Sequence, residues 1–148
     1  MDALDVISLA DAKLNLVVDY PDRDAEITRL IKTSVAAIER YTNVLLYERE
    51  REYQLNSCSL NICDYPIEFT DTELKTKSYP LSVTVYGKDG DLVSATVGFD
   101  EIPDDYQPLV EACYKYITYC FANKDAYGVT LPLDIQVMVN QFRRSPTF

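Results

Sequence analysis

The amino-acid sequence predicts an α+β fold: two N-terminal helices, a central antiparallel β meander and two C-terminal helices. Three observations carry this. Apolar residues recur at helical spacing from about 22 to 42, the period changes to two between Leu46 and Val97, and helical spacing returns from about 107. The 148 residues are the size of one domain, and 47% of them are hydrophobic, enough for a core. The expected organisation is one domain over 1–148, with helical halves 1–44 and 105–148 packed together around a β insertion, 45–104.

Residues 8–16 read as a short helix with Ser8 as N-cap and Asp11 three residues on. Tyr20-Pro21-Asp22 is then a turn, because the residue before proline avoids helical geometry. A longer helix follows over 22–42, with Asp22 as its cap and Asp24 and Glu26 in the electropositive first turn. Ile27, Leu30, Ile31, Val35, Ile38 and Tyr41 form its apolar stripe. Arg29, Lys32, Glu39 and Arg40 fall on the side expected to be wet.

From Leu46 the residues alternate. Tyr47, Arg49, Arg51, Tyr53 and Leu55 share one side of a strand, and Glu48, Glu50, Glu52 and Gln54 share the other. Neither side is purely apolar. The strand is either a solvated edge whose charges block stray pairing or a rail for a neighbouring subunit. Leu60–Cys63 reads as another short strand. Over 64–78 the pattern is weak; a strand near Ile67–Phe69 followed by a polar loop is expected. After Pro80, a three-residue loop Lys88-Asp89-Gly90 would make a hairpin pairing Val85 with Val93, Val83 with Ala95 and Leu81 with Val97, with Gly90 in the left-handed position.

Asp100–Asp105, broken by Pro103, reads as a linker, and Pro108 suits the first turn of the second long helix. Leu109, Ala112, Cys113, Tyr116, Ile117 and Cys120 form its stripe, which Val110 and Phe121 widen. So broad an arc points to burial by the core and by another copy. Gly128 stops the segment. Thr130 caps a last helix beginning at Leu131-Pro132, with Ile135, Met138, Val139 and Phe142 on one face and Leu133 and Val137 on the opposite one. A short helix, apolar on two sides, needs a partner.

The chemistry of known catalytic sites is hard to build from this composition. The sequence has no His, four Gly and no G-x-S-x-G or S-x-x-K, so histidine bases, phosphate-cradling loops and activated serines find no support. Cys113 and Cys120 share a helical face and read as core thiols. Cys58 and Cys63 lack ligand spacing. The carboxylates at Asp19/Asp22/Asp24 read as helix-capping, and those at Asp100/Glu101/Asp104/Asp105 as a solvated linker without the spacing of a calcium loop. No catalytic residue, metal site or cofactor is therefore assigned.

Lys and Arg number 14 against 24 Asp and Glu, a formal net charge of −10, which disfavours binding by phosphate neutralisation. Arg143-Arg144 is the one dense basic pair. Twelve Tyr suggest contact surfaces, since a phenol joins apolar area to a polar tip. No apolar run has the length of a membrane span, and Met1-Asp2-Ala3-Leu4-Asp5 lacks the basic start of a signal peptide, so a cytoplasmic place of assembly is expected.

Several segments together resemble the head-tail connector (adaptor, or head completion) proteins of tailed bacteriophages. Ser8-Leu9-Ala10-Asp11-Ala12-Lys13-Leu14-Asn15-Leu16 is similar to their opening S-L-x-x-A-K-x-x-L, and Glu39-Arg40-Tyr41-Thr42-Asn43 to their E-x-Y-T-G, with Asn43 in place of Gly. Pro80-Leu81-Ser82-Val83 through Asp89-Gly90 resembles their P-x-x-S-V…D-G. Phe121-Ala122-Asn123-Lys124-Asp125-Ala126 resembles Y-x-N-R-E-A, and Leu131-Pro132 through Phe142-Arg143 their L-P…L-L-x-x-Y-R. The likeness spans the chain except 56–78.

The resemblance implies a non-enzymatic virion protein of the head-tail junction, without a cofactor. It implies a homo-oligomeric ring, commonly of twelve copies, between the portal protein and a tail or stopper protein. DNA would pass through without specific binding, past a negative wall that repels phosphate. Leu133, Val137, Phe142, Arg143, Arg144 and Phe148 are the expected portal-docking residues. Tyr47, Arg49, Arg51, Tyr53, Val110, Tyr114 and Phe121 are the expected subunit-interface residues. A small acidic DNA mimic or inhibitor is the competing reading from composition. It would space carboxylates along one face and remain a monomer or dimer.

Overall fold

The computed structural model describes residues 1–71, 73–124 and 130–144. Five α-helices bracket six strands: α1 (Ala3–Val6), α2 (Leu9–Leu16), α3 (Asp24–Thr42), then β1 (Arg49–Gln54), β2 (Ser59–Ile62), β3 (Ile67–Phe69), β4 (Lys75–Tyr79), β5 (Ser82–Tyr86) and β6 (Leu92–Val97), then α4 (Gln107–Ala122) and α5 (Leu133–Val139). The α+β class and the order of helices around antiparallel strands are as the periodicity predicts. α1 is an addition: four residues held by a box in which Asp2 and Asp5 satisfy each other's backbone N–H.

The helical core forms as the stripes require. Ile27, Leu30, Ile31, Val35 and Ile38 of α3 and Leu109, Ala112, Cys113, Tyr116, Ile117 and Cys120 of α4 are all buried in one cluster with Ile135 and Val139 of α5. Ser8 caps α2, its hydroxyl accepting the Asp11 N–H at 3.1 Å. Asn43 ends α3 at φ 58°, the left-handed geometry that Asn tolerates.

Two expected caps are absent. The entry to α3 is a 3₁₀ turn, Pro21–Arg23, so Asp22 lies inside it and makes no cap. α5 begins only at Leu133, with Pro132 at its N-cap, because proline sets an extended backbone there; Thr130 does not cap it. The Gly128 stop lies outside the described residues.

The strands depart from the expected hairpin. β5 and β6 belong to different sheets, so Val85 does not pair with Val93. The first sheet has the order β1-β6-β3 and the second β2-β5-β4, all neighbours antiparallel. The tight hairpin is β4–β5: Tyr79 pairs with Ser82 across Pro80-Leu81, and the expected polar loop is strand β4. The reason is packing. Val85 and Val93 both point into one cluster with Leu55 and Ile62, where each gains a partner on the facing sheet instead of the adjacent strand. Lys88–Asp91 remains a turn with Gly90 at φ 88°, but it carries the chain from sheet to sheet.

The two sheets are halves of one three-stranded ribbon bent back on itself. β1 and β2 run along β6 and β5, and β3 and β4 run along the other side. Ile62 lies opposite Val83 while Ile67 lies opposite Val97. Five residue steps reach at most about 18 Å, whereas 83–97 laid straight would be roughly 46 Å long. The bend sits where Leu55 exchanges backbone bonds with Gly90 and Asp91, at 2.8 and 2.9 Å. Near the other end Gly98, at φ 94°, lies against the Tyr47 backbone. A Cβ there would fall 2.0 Å from the Tyr47 carbonyl oxygen, so only glycine fits.

Two predictions follow from the core. Cys113 is fully buried, so Cys113→Asp strands a charge among apolar side chains. The variant should lose the cooperative thermal transition that Cys113→Ala keeps. Burial also raises the Cys113 thiol above its ordinary 9.0, and it pushes the Tyr116 phenol from 10.0 up to about 12. The folded chain thus holds protons that the unfolded chain releases, and this stability is complete below about pH 9 and lost as pH rises. A melting temperature that stays flat between pH 9 and 12 would contradict this.

Candidate assembly interface

Glu39 binds the helical half to the β insertion. The sequence puts this residue on the wet side of α3, yet it is 5% exposed. Its Oε1 accepts the Leu46 N–H at 2.8 Å, and its Oε2 accepts Arg49 Nη2 at 2.7 Å. Arg49 lies over the Tyr47 ring, 4.4 Å from the centroid. Farther along β1, Asp64 Oδ2 accepts both Arg51 Nη1 and the Tyr53 hydroxyl at 2.6 Å, and burial together with that bond raises the Tyr53 phenol. Glu39, Tyr47, Arg49, Arg51 and Asp64 border a cleft of about 520 Å³ that also takes in Asp2, Lys32 and Arg40. The cleft carboxylates are each matched to a cation: Glu39 to Arg49, Asp64 to Arg51, Asp2 to Lys32. Such a set holds elements together.

The odd-numbered side of β1 therefore faces its own subunit. Arg49, Arg51 and Tyr53 alternate as half-buried residues with exposed Glu50, Glu52 and Gln54. β1 is an edge strand, as the charges imply. Its charges on the inner side are taken up by Glu39 and Asp64, which sequence spacing alone does not bring near.

An aromatic group closes the opposite side of the joint. Tyr65, Phe99, Tyr106 and Phe142 stand in a chain with centroids 6.0, 4.9 and 5.6 Å apart. Arg144 lies over Tyr65 at 4.2 Å, its N–H donates to the Thr42 carbonyl at 2.7 Å, and its carbonyl accepts from Asn43 Nδ2 at 2.6 Å. Phe142 and Arg144 are thus tied into their own subunit. Arg143 lies over the Tyr41 ring at 5.1 Å but stays exposed. Phe148 lies outside the described residues.

Two apolar surfaces stand out to solvent. On α5, Leu133 is 76% and Val137 66% exposed, opposite the buried Ile135 and Val139, as the double-sided pattern predicts. At the end of α2, Val17 is 90% exposed and held at φ 56°, unusual for a β-branched residue, with Leu14 and Tyr20 exposed beside it. On α4, Val110 is buried within the subunit by neighbouring core side chains, a correction to its reading as an interface residue. Tyr114 and Phe121 are half-buried, Phe121 under the Arg23 guanidinium. Among the described residues no helix is long and apolar enough to cross a membrane.

No protein-family model matches the sequence, and no curated protein matches it. Solved structures do match in fold. A chain in the virion of a native gene transfer agent particle matches with a TM-score of 0.71 at 13% identity, over 100% of this chain and 94% of that one. A chain in the neck of an empty gene transfer agent particle, computed with C6 symmetry, matches with a TM-score of 0.68 at 13% identity, over 97% of this chain and 92% of that one. The chain shares its fold with a component of a virion neck. That likeness agrees with the resemblance to head-tail connectors drawn from Ser8–Leu16, Glu39–Asn43 and the closing helix.

Removing Glu39 tests the joint. Glu39→Ala leaves Arg49 and the Leu46 N–H without their acceptor and should lower stability by about 3–5 kcal/mol. Glu39→Gln keeps an acceptor for Leu46 and should lose less. Urea denaturation of the two variants measures both; equal losses would mean that the backbone bond contributes nothing.

Proposed function

We propose that this chain is a structural head-tail connector, several copies of which form a ring beneath the portal of a phage-like particle. The single observation that carries the reading is the fold shared over nearly the whole chain with a neck component. A neck of C6 symmetry supports a ring in a multiple of six, and twelve is the number that the sequence resemblance implies. In this reading the protein acts by shape and contact, at the virion's head-tail junction, after assembly in the host cytoplasm. A tail or stopper protein sits on its far side, and DNA passes through without specific binding past a chain of net charge −10.

The portal-facing surface is assigned to the outer side of α5, Leu133 and Val137, together with Arg143 and the tail through Phe148. Leu133 and Val137 are large apolar groups that the rest of the chain leaves uncovered, and an uncovered apolar pair suits an anchor in a partner's pocket. Phe142 and Arg144 set the position of this surface from beneath. Tyr47, Arg51, Tyr114 and Phe121 are assigned to neighbouring copies through the parts that remain exposed. The competing DNA-mimic reading expects carboxylates along one face, and Glu50, Glu52 and Glu68 do share a sheet face; the fold shared with a neck component favours the connector reading over it.

Leu133→Asp and Val137→Asp test the docking surface without disturbing the core. Both side chains are exposed, so melting should match wild type. Retention in purified DNA-filled particles should fall about ten-fold or more, as for central anchor residues. Wild-type retention of a doubly substituted chain would rule this surface out. Absence of the wild-type chain from particle necks would rule out the connector reading itself.

A further inference from the structure

The two β-sheets carry opposite charge on their outer faces. In the first sheet Arg49 and Arg51 turn inward to Glu39 and Asp64, which leaves glutamates as the charged residues of the outer face. Register makes this face continuous: Glu50 and Glu68 both lie beside Thr96, and Glu52 lies beside Ser94. All three glutamates are exposed and none has an ion-pair partner among the described residues. In the second sheet the strands β2, β4 and β5 contain no Asp or Glu. Lys75 lies beside Tyr86 and Lys77 beside Thr84, and the Lys77 ammonium rests 5.1 Å from the Tyr79 ring. Lys75, Lys77, Tyr79 and Tyr86 are exposed.

We infer that neighbouring copies of this chain dock head to tail, the glutamate face of the first sheet in one copy meeting the lysine–tyrosine face of the second sheet in the next. This rests on the connector reading, which requires several copies side by side. The sheets fold over one shared core, so their outer faces look away from each other. Two unlike, complementary patches on opposite sides of one chain make a heterologous contact, the kind that repeats around a ring. Each face on its own gathers like charges, and contact with the next copy relieves both. Tyr79 and Tyr86 add apolar area with a polar tip, the residue type favoured at such contacts. Edge protection accounts for a charge on β1 or β4, but it has no preference for sign and does not sort glutamates to one sheet and lysines to the other.

The test is charge exchange read by sedimentation velocity at high protein concentration. Wild-type chain should self-associate in low salt and dissociate as salt is raised. Lys75→Glu/Lys77→Glu and Glu50→Lys/Glu52→Lys should each weaken association about ten-fold or more, with unchanged melting because every site is exposed. All four exchanges in one chain should restore it, and so should a mixture of the two double variants, since each then meets an opposite face. Wild-type chain that stays monomeric in low salt, or a fourfold variant no better than either double variant, overturns this docking. Either result leaves the connector reading intact, because that is read from the particle neck.

Discussion

The joint at Glu39 constrains much of this structure because it places a carboxylate where the helical half offers no water. A buried carboxylate must find donors, and both of the Glu39 donors come from the start of the β insertion: the Leu46 N–H and the Arg49 guanidinium. With the exit of α3 tied to the entry of β1, the direction of the ribbon is set. Gly98 then passes against Tyr47 at a distance only glycine allows. The aromatic chain from Tyr65 to Phe142 fills the other side of the same joint, so both helical halves and the ribbon meet at one place.

That joint also decides what is left for other molecules. Arg49 and Arg51 are drawn inward, and the strand that carries them turns Glu50, Glu52 and Gln54 to solvent. Arg144 is drawn in by Thr42, Asn43 and Tyr65, which ties the end of the described chain to the end of α3. Bonds inside the subunit thereby sort the surface into an apolar helix face, an acidic sheet and a basic sheet. In the proposed connector such sorting lets each neighbour meet a surface of one character.

Both long helices and their buried stripes were legible before any coordinates, since helical period and burial are the same statement for a one-sided helix. Ser8, Asn43 and Pro108 could be placed because capping and proline rules are local. The two-sided α5 was legible for the same reason, with Leu133 and Val137 opposite Ile135 and Val139. Glu39 was not. Its position on the helix wheel is polar, and only a strand arriving from ten residues away gives it donors.

Sequence by itself determined the α+β class, the helical core and the alternation along β1, because each depends on neighbours within a few residues. Tertiary structure alone decided which strands pair. Val85 opposite Val93 in a hairpin and Val85 facing Val93 across two sheets have the same alternation in sequence. The choice belongs to the packing of Leu55, Ile62, Val85 and Val93 into one cluster, and to a bend that brings together the two ends of the ribbon, where Ile62 and Ile67 stand. Charge segregation follows from the same bend. A glutamate and a lysine can be counted in a sequence, but which way each faces is known only once the sheet it stands on has a second sheet at its back.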